Sequence, residues 1–160
     1  MSYGNDPFSR FKVTVGEFPL DSIAARAAGK VAHTQNQYKA LQEFALTLLP
    51  AASNSACRAL ALMFRSLPDG ELIVDIGMLA VHPNPWPRCF AAVAWSRNPR
   101  RWPGLGERLA ADSDPGVRLA LARALSEDGP ERESIIRLLR EDYRRDIRRV
   151  VEHISDSVVQ

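Results

Sequence analysis

Apolar and polar positions along this chain repeat at a fixed interval, which is also the spacing of Arg58, Arg88, Arg118 and Arg148. In the first half of each repeat, apolar residues stand three positions apart, which places them on one face of a helix. In the second half they stand at positions i, i+1 and i+4, which is also a helical pattern. The first set comprises Leu46 and Leu49, Ile76 and Leu79, Leu109 after Gly106, and Ile136 and Leu139; the second runs from Leu60, Ala61 and Phe64 to Val150, Val151 and Ile154. Each repeat is therefore predicted to be a helical hairpin, an A helix followed by a B helix.

Polar residues mark the turn before each B helix. The side chains of Asn54, Asn84 and Asp114 can accept hydrogen bonds from the first amides of a helix. Pro85 and Pro115 suit the first helical turn, where the missing N–H costs little. Self-similarity at such a period is typical of a solenoid, in which each unit buries its apolar face against its neighbours. We predict a repeat domain over residues 38–160 with units at about 38–67, 68–97, 98–127 and 128–157.

Residues 1–37 lie outside the repeats. Residues 11–15 alternate like a short strand, and residues 20–32 have the pattern of a helix. We predict an N-terminal arm followed by a helix that caps the apolar end of the first unit. The alternative is an arm that pairs with the sheet edge of a partner protein through apolar residues. Those residues are Phe8, Phe11, Val13, Val15 and Phe18.

Composition narrows the functional classes. The chain is 46% hydrophobic, which suits one domain with a continuous core. The net charge of +2 and the pI of about 8.7 argue against a dedicated non-specific nucleic-acid binder. No apolar run approaches the roughly 18 residues of a membrane span, and no secretory signal is recognised. We expect a cytoplasmic protein with no membrane partner, and the abundance of alanine and arginine suggests a bacterial source.

Residues with catalytic or metal-binding chemistry are scattered. Cys57 and Cys89 form no disulfide framework or zinc motif and are predicted to be structural thiols in the core. No nucleophile elbow or phosphate-binding glycine loop occurs, and the paired carboxylates of Glu141 and Asp142 fall in a turn, where we interpret them as solvated charges. The histidines lie at no ligand spacing; they are His33, His82 and His153. The sequence predicts a protein that is not an enzyme and that uses no metal and no cofactor.

The segment 109–125, Leu-Ala-Ala-Asp-Ser-Asp-Pro-Gly-Val-Arg followed by Leu-Ala-Leu-Ala-Arg-Ala-Leu, resembles a HEAT repeat. The family shows an aspartate and a Val-Arg pair ahead of a B helix rich in alanine and leucine. The resemblance covers about residues 38–157 and implies an all-α fold, a right-handed α-solenoid of about four HEAT-like hairpins with an N-terminal capping segment.

In HEAT repeats the recurring aspartate and arginine form a ladder between neighbouring units. The resemblance implies this role for Asp112 or Asp114 with Arg118, and for the other arginines at the same repeat position. These arginines are Arg58, Arg88 and Arg148. The alternative is that the four arginines line a groove and bind phosphates.

The surface of the B helices is the predicted binding site of another protein. One B-helix position changes from apolar to charged along the chain, through Met63, Val93, Arg123 and His153. Interface cores favour methionine, aromatic residues and arginine. A second position on this surface holds Leu62, Ala92, Ala122 and Glu152. We predict a non-enzymatic scaffold or adaptor whose concave B-helix face binds its partner through Met63, Val93, Trp86, Arg97, Arg123, Arg149 and His153. The identity of the partner and the oligomeric state stay open.

Nucleic-acid binding is the alternative function. Trp86, Trp95 and Trp102 are interleaved with arginines, and this combination can stack bases and contact phosphates. The chain is similar in architecture to the HEAT-like alkylpurine DNA glycosylases, but no catalytic motif of theirs is matched here. The simpler interpretation is that Trp95 and Trp102 pack between units and that Trp86, in its turn between prolines, is exposed.

Overall fold

The computed structural model describes residues 35–125 and 130–158, and every regular element in these ranges is helical. The predicted all-α fold is therefore confirmed for the described part of the chain. The predicted arm, strand and capping helix of residues 1–37 lie almost wholly outside the described residues. The chain divides into two compact units, residues 1–75 and residues 76–160, which are described separately.

The first unit contains two helices in its described part. Helix α1 spans Gln35–Leu48 and is followed by a 3₁₀ turn at Leu49–Ala51. Helix α2 spans Asn54–Arg65, and a second 3₁₀ turn lies at Asp69–Glu71. The Ser53 hydroxyl accepts a hydrogen bond from the Ala56 amide at 3.2 Å. Ser53 is thus the N-cap of α2, one position before the predicted Asn54.

A buried amide side chain holds the end of this unit against α1. Gln42 has no exposed surface, so both ends of its amide need partners. Its Nε2 donates to the carbonyl of Tyr38 at 3.1 Å and to that of Glu71 at 2.7 Å. Its Oε1 accepts the N–H of Ile73 at 2.8 Å. Gln42 therefore ties residues 71–73 to α1 through neutral hydrogen bonds.

The described part of the second unit contains six helices in three successive hairpins. The A helices are α3 at Ile76–Ala80, α5 at Leu105–Ala110 and α7 at Pro130–Arg140. The B helices are α4 at Pro85–Arg97, α6 at Pro115–Ala124 and α8 at Arg145–Val158. The starting positions of the three B helices are evenly spaced, at the interval of the sequence repeat.

The hairpins of the second unit pack in two layers. Helix α3 contacts α5 and α5 contacts α7, while α4 contacts α6 and α6 contacts α8. Each A helix also packs against the B helix of its own hairpin. The core between the layers includes Leu79, Phe90, Leu109, Leu121 and Leu139. These buried side chains match the predicted apolar positions.

A tryptophan packs between the first two of these hairpins. Trp95, near the end of α4, is buried, and its indole lies against Gly106 in α5. A β-carbon added at Gly106 would overlap three atoms of the Trp95 ring. The glycine that interrupts the apolar pattern at position 106 therefore makes room for this ring. The prediction that Trp95 packs between units is in agreement with this contact.

Replacing Gly106 with alanine is expected to destabilise the protein. The added methyl group forces the buried indole to move, and overpacking of this kind costs about 1–3 kcal/mol. Chemical denaturation should show a lower free energy of unfolding. Gly70→Ala is the matched control, because a β-carbon there meets no atom within 4 Å. Equal stability of the two variants would contradict the packing described for Trp95.

Candidate partner-binding surface

The same type of hydrogen bond occurs in three of the turns that precede B helices. In each turn, a side chain accepts the backbone N–H of the residue two positions later, which fixes the turn. The pairs are His82 Nδ1 with Asn84 at 3.0 Å, Asp112 Oδ1 with Asp114 at 2.9 Å, and Asp142 Oδ1 with Arg144 at 3.0 Å. The residue at this repeat position thus shapes the turn, whether it is histidine or aspartate.

The next polar residue caps the B helix. The side chain of Asn84 accepts the Trp86 N–H at 2.9 Å, and that of Asp114 accepts the Gly116 N–H at 2.7 Å. Both are N-caps, in agreement with the prediction from their place before a proline. Asp114 is therefore committed to its own helix, and Asp112 is the aspartate that pairs with an arginine.

Two arginine–aspartate pairs join successive hairpins. Arg88 donates from Nε and Nη2 to the two carboxylate oxygens of Asp112, at 2.9 and 3.2 Å. Arg118 does the same with Asp142, at 2.7 and 3.4 Å. The side chains of the first pair are 14% and 9% exposed, and those of the second pair 6% and 5%. Each arginine thus binds the aspartate 24 residues later through a nearly buried contact with two hydrogen bonds.

A backbone carbonyl fixes the orientation of each guanidinium. Nη1 donates to the carbonyl oxygen six positions earlier: Arg88 to His82 at 2.8 Å, Arg118 to Asp112 at 2.7 Å and Arg148 to Asp142 at 2.6 Å. In Arg88 and Arg118, Nε and Nη2 are then free to reach the next hairpin. One arginine therefore connects the turn of its own hairpin with that of the next.

Tyr143 covers the second pair. Its ring lies 4.8 Å from the Arg118 guanidinium carbon, within the range of a cation–π contact. Burial alone would lower the pKa of Arg118, but its hydrogen bonds with Asp142 and its contact with Tyr143 outweigh that effect and raise it. Arg118 is thus held as a cation although it is almost fully buried.

This pairing differs in detail from the one that the sequence implies. The resemblance pairs Arg118 with Asp112 or Asp114, but its carboxylate partner is Asp142, whereas Asp112 pairs with Arg88. The interpretation of Asp142 as a solvated charge in a turn is wrong. The signal that could have found it is its position, one full repeat after Asp112.

The first and last arginines of the series differ from the other two. Arg58 is exposed, and the residue 24 positions after it is His82 instead of an aspartate. Arg148 is half-buried and keeps the bond to the carbonyl of Asp142. Arg88 and Arg118 use their donors inside the fold, which disfavours the alternative that they bind phosphates.

Met63 is not part of an exposed surface. The sequence predicts that it faces a partner, but it has no exposed surface and belongs to the core of the first unit. Ala59 and Leu60, one turn earlier in α2, are buried as well, so α2 buries a wider arc than the repeat pattern indicates. Ala92 and Ala122, which the sequence also places on the exposed face, are buried where α4 and α6 pack beside another B helix.

The remaining candidates lie on the B helices of the second unit. Arg97 of α4, Arg123 of α6, and Arg149 and His153 of α8 are exposed, while Val93 and Trp86 of α4 are partly buried. Val93, Arg123 and His153 occupy the same repeat position, so they share one face of the B layer. We call the set Val93, Arg97, Arg123, Arg149 and His153 the outer B face. Three of its five side chains are arginines.

Exposed apolar side chains lie elsewhere, and sequence analysis did not identify them. Met78 in α3 is 62% exposed, and Leu138 in α7 is 49% exposed. Val81, the first residue after α3, is 58% exposed. Met78 and Leu138 occupy one repeat position of the A helices, which Arg108 fills in the hairpin between them. The sequence signal was available, since the A-helix pattern leaves these positions off the buried face.

The two cysteines have the properties of structural thiols. Cys57 is buried and Cys89 is partly buried. Burial, together with the charges of Asp114 and Asp112, raises the pKa of Cys89 to about 11, and burial also raises the pKa of Cys57. A thiol that resists ionisation is a poor nucleophile at neutral pH. Among the described residues, no three His, Cys, Asp or Glu side chains form a group that could hold a metal ion.

Comparison of the chain with protein-family models, with curated proteins and with solved structures finds no match. Within residues 35–125 and 130–158, no helix combines the length and apolar character that crossing a membrane requires.

Removing Arg118 is expected to lower stability strongly. Arg118→Ala leaves the carboxylate of Asp142 buried without its cation, and breaking a buried pair in this way costs about 3–5 kcal/mol. Thermal and urea denaturation measure the loss. Arg137→Ala is the control, because Arg137 pairs with Glu133 on the surface and such a pair contributes less than about 1 kcal/mol. An unchanged melting temperature for Arg118→Ala would contradict the structural role of the pair.

Cys89 is expected to react slowly with iodoacetamide in the folded protein. With a pKa of about 11, its thiolate fraction at pH 8 is about 100-fold lower than that of a thiol with the ordinary pKa of 9.0. The rate should rise about tenfold per pH unit between pH 8 and pH 10, because the thiolate is the reactive form. Mass spectrometry of the Cys89 peptide follows the reaction, with urea-unfolded protein as the control. Fast labelling of folded protein at pH 7 would show a reactive cysteine instead.

Proposed function

We propose that this protein is a non-enzymatic binding module of the HEAT-like α-solenoid type, which docks another protein on its outer B face. Three observations in the second unit support the solenoid. The A helices pack in one layer and the B helices in the other. The B helices begin at the even spacing of the sequence repeat. Buried arginine–aspartate pairs join successive hairpins.

The observation that carries the functional proposal is the row of exposed arginines on the outer B face. Arg97, Arg123 and Arg149 are evenly spaced, and the interval between them is four positions shorter than the repeat. Each therefore lies about one helical turn nearer the start of its helix than the previous one. With neighbouring helices about 8–10 Å apart and a turn of about 5.4 Å, successive Cα atoms are about 10–11 Å apart. The row suits a partner segment that carries carboxylates at about this spacing.

An acidic protein fits this face better than a polyanion does. Of the arginines that recur at the repeat interval, Arg88 and Arg118 are neutralised by aspartates within the fold. On α8, the exposed carboxylate of Glu152 accompanies Arg149 and disfavours a continuous polyanion there, while the carboxylate of Asp146 is paired with Arg144 at 2.8 Å. An apolar side chain, Val93, adds a contact at one end of the row. The combination of arginine with an apolar side chain is typical of protein interfaces.

Nucleic-acid binding remains the second candidate, and one observation favours it. Arg101 stacks over the Trp102 ring at 4.7 Å directly after α4, and both Arg100 and Arg101 are exposed, as is Arg97 at the end of α4. Arginine and tryptophan together can hold single-stranded bases and phosphates. Arg100 is paired with Glu131 at 3.1 Å, which reduces the charge available there.

The outer B face is tested by charge reversal. The double variant Arg97→Glu/Arg123→Glu is expected to weaken capture of the partner from host lysate at least about tenfold, because like charges across an interface are strongly unfavourable. Arg108→Glu/Arg140→Glu is the matched control, since it makes the same change in charge on the exposed side of two A helices. Capture is quantified by mass spectrometry after nuclease treatment.

Salt dependence separates the two candidate functions. Contacts with three phosphates would give a logarithmic slope of about −2 to −3 for affinity against salt concentration. A partner that survives nuclease and is lost only in the outer-face variant supports protein binding. Recovery of nucleic acid alone, with a slope of this size, would replace the proposal with its alternative. Equal losses in both double variants would show that the outer B face is not the site.

A further inference from the structure

Arg148 has the same anchoring geometry as the paired arginines but no carboxylate partner in the described part of the chain. Its Nη1 donates to the carbonyl of Asp142 at 2.6 Å, as the equivalent atom of Arg118 does to Asp112 at 2.7 Å. Its Nε and Nη2 make no hydrogen bond to any residue within the described ranges. The guanidinium is thus held in place through one nitrogen, while its other two nitrogens remain available.

The Nε and Nη2 donors of an arginine lie side by side and form a planar fork. The paired arginines of this protein show which group such a fork binds. In both Arg88 and Arg118, the Nε and Nη2 atoms donate to the two oxygens of an aspartate. That aspartate also accepts an N–H of its own turn, two positions later. Because the anchoring bond of Arg148 repeats that of Arg88 and Arg118, its open donors have the orientation that suits a carboxylate.

The flank of α8 beside Arg148 is polar. In α4 and α6, the repeat positions on this flank hold Cys89 and Leu119, which are partly buried, and two fully buried alanines at 92 and 122. In α8 the same positions hold Arg149 and Glu152, and both are exposed. The flank therefore lacks the small apolar residues that pack another helix closely. A hydrophilic loop or turn of a partner fits this surface better than a buried helix does.

A second copy of this chain is a poor source of the carboxylate. The first unit carries Ala52 at the repeat position of Asp112 and Asp142, and the next repeat holds His82 there. A copy that stacked its first unit on α8 would thus offer a methyl group to Arg148. Together with the polar flank of α8, this favours a carboxylate from a different protein.

We propose that Arg148 is a docking point for an aspartate of a partner protein, presented on a turn, which extends the arginine–aspartate series across an interface. This site adjoins the outer B face at Arg149, but it does not depend on the function proposed for that face. Arg148 supplies two hydrogen bonds and one positive charge to the carboxylate. The exposed Arg149 adds positive charge beside it.

A peptide copied from the molecule itself tests the proposal. The acetylated and amidated hexapeptide Ala-Asp-Ser-Asp-Pro-Gly repeats residues 111–116, the turn that carries Asp112. In nitrogen-15 NMR spectra of the whole protein, its addition is expected to shift the Nε–H signal of Arg148 in a saturable manner. The Nε–H signals of Arg88 and Arg118 should stay unchanged, because their forks already hold aspartates. Arg123, which is exposed and not part of the series, should show no saturable shift.

Two controls make the result specific. A peptide with asparagine in place of its first aspartate keeps the second carboxylate and should produce no saturation. Arg148→Lys keeps the charge but loses the fork, and it should abolish the peptide-induced shifts of the Arg149 and Glu152 backbone amides. Equal responses of Arg148 and Arg123, or equal responses to both peptides, would overturn the proposal. Saturation by inorganic phosphate at a lower concentration than the peptide would overturn the assignment to a carboxylate.

Discussion

The buried pairing of arginine with aspartate is the interaction on which the second unit depends. Arg118 bonds to a carbonyl in its own turn and to the carboxylate of Asp142 in the next, and that carboxylate also fixes the turn in which it stands. The position of one hairpin therefore determines the position of the following one. Because Arg118 and Asp142 are almost fully buried, neither can be lost without leaving an unpaired charge inside the protein.

The pairing also separates residues that serve the fold from residues available for binding. Arg88 and Arg118 follow the repeat interval and are turned inward. Arg97 and Arg123 depart from that interval and are exposed. A residue repeated in every hairpin contributes to the contact that every hairpin makes, whereas a residue particular to one hairpin can be specific to a partner. In such a repeat protein, the position of a basic residue within the repeat therefore indicates its role better than its charge does.

Periodicity predicted the helices and the N-caps of α4 and α6, because these features depend on residues close in the chain. It did not predict the partner of Arg118, since Asp142 lies 24 residues away and its pairing depends on how hairpins stack. The prediction that Met63 is exposed was wrong, because the helices around α2 decide how many of its faces are buried, and the apolar pattern of α2 alone does not. Gly106 could be explained only once Trp95 was seen to occupy the space beside it.

The A helices α3 and α5 have only 5 and 6 residues, well below the roughly 12–15 that an isolated helix needs to be stable in water. They can therefore persist only while the longer B helices hold them. In kinetic terms, α4, with 13 residues and an asparagine cap, is the better nucleus, and α3 and α5 acquire their helical structure by docking onto the B layer. In these two hairpins we therefore expect the B helix to form before the A helix, although the A helix is synthesised first.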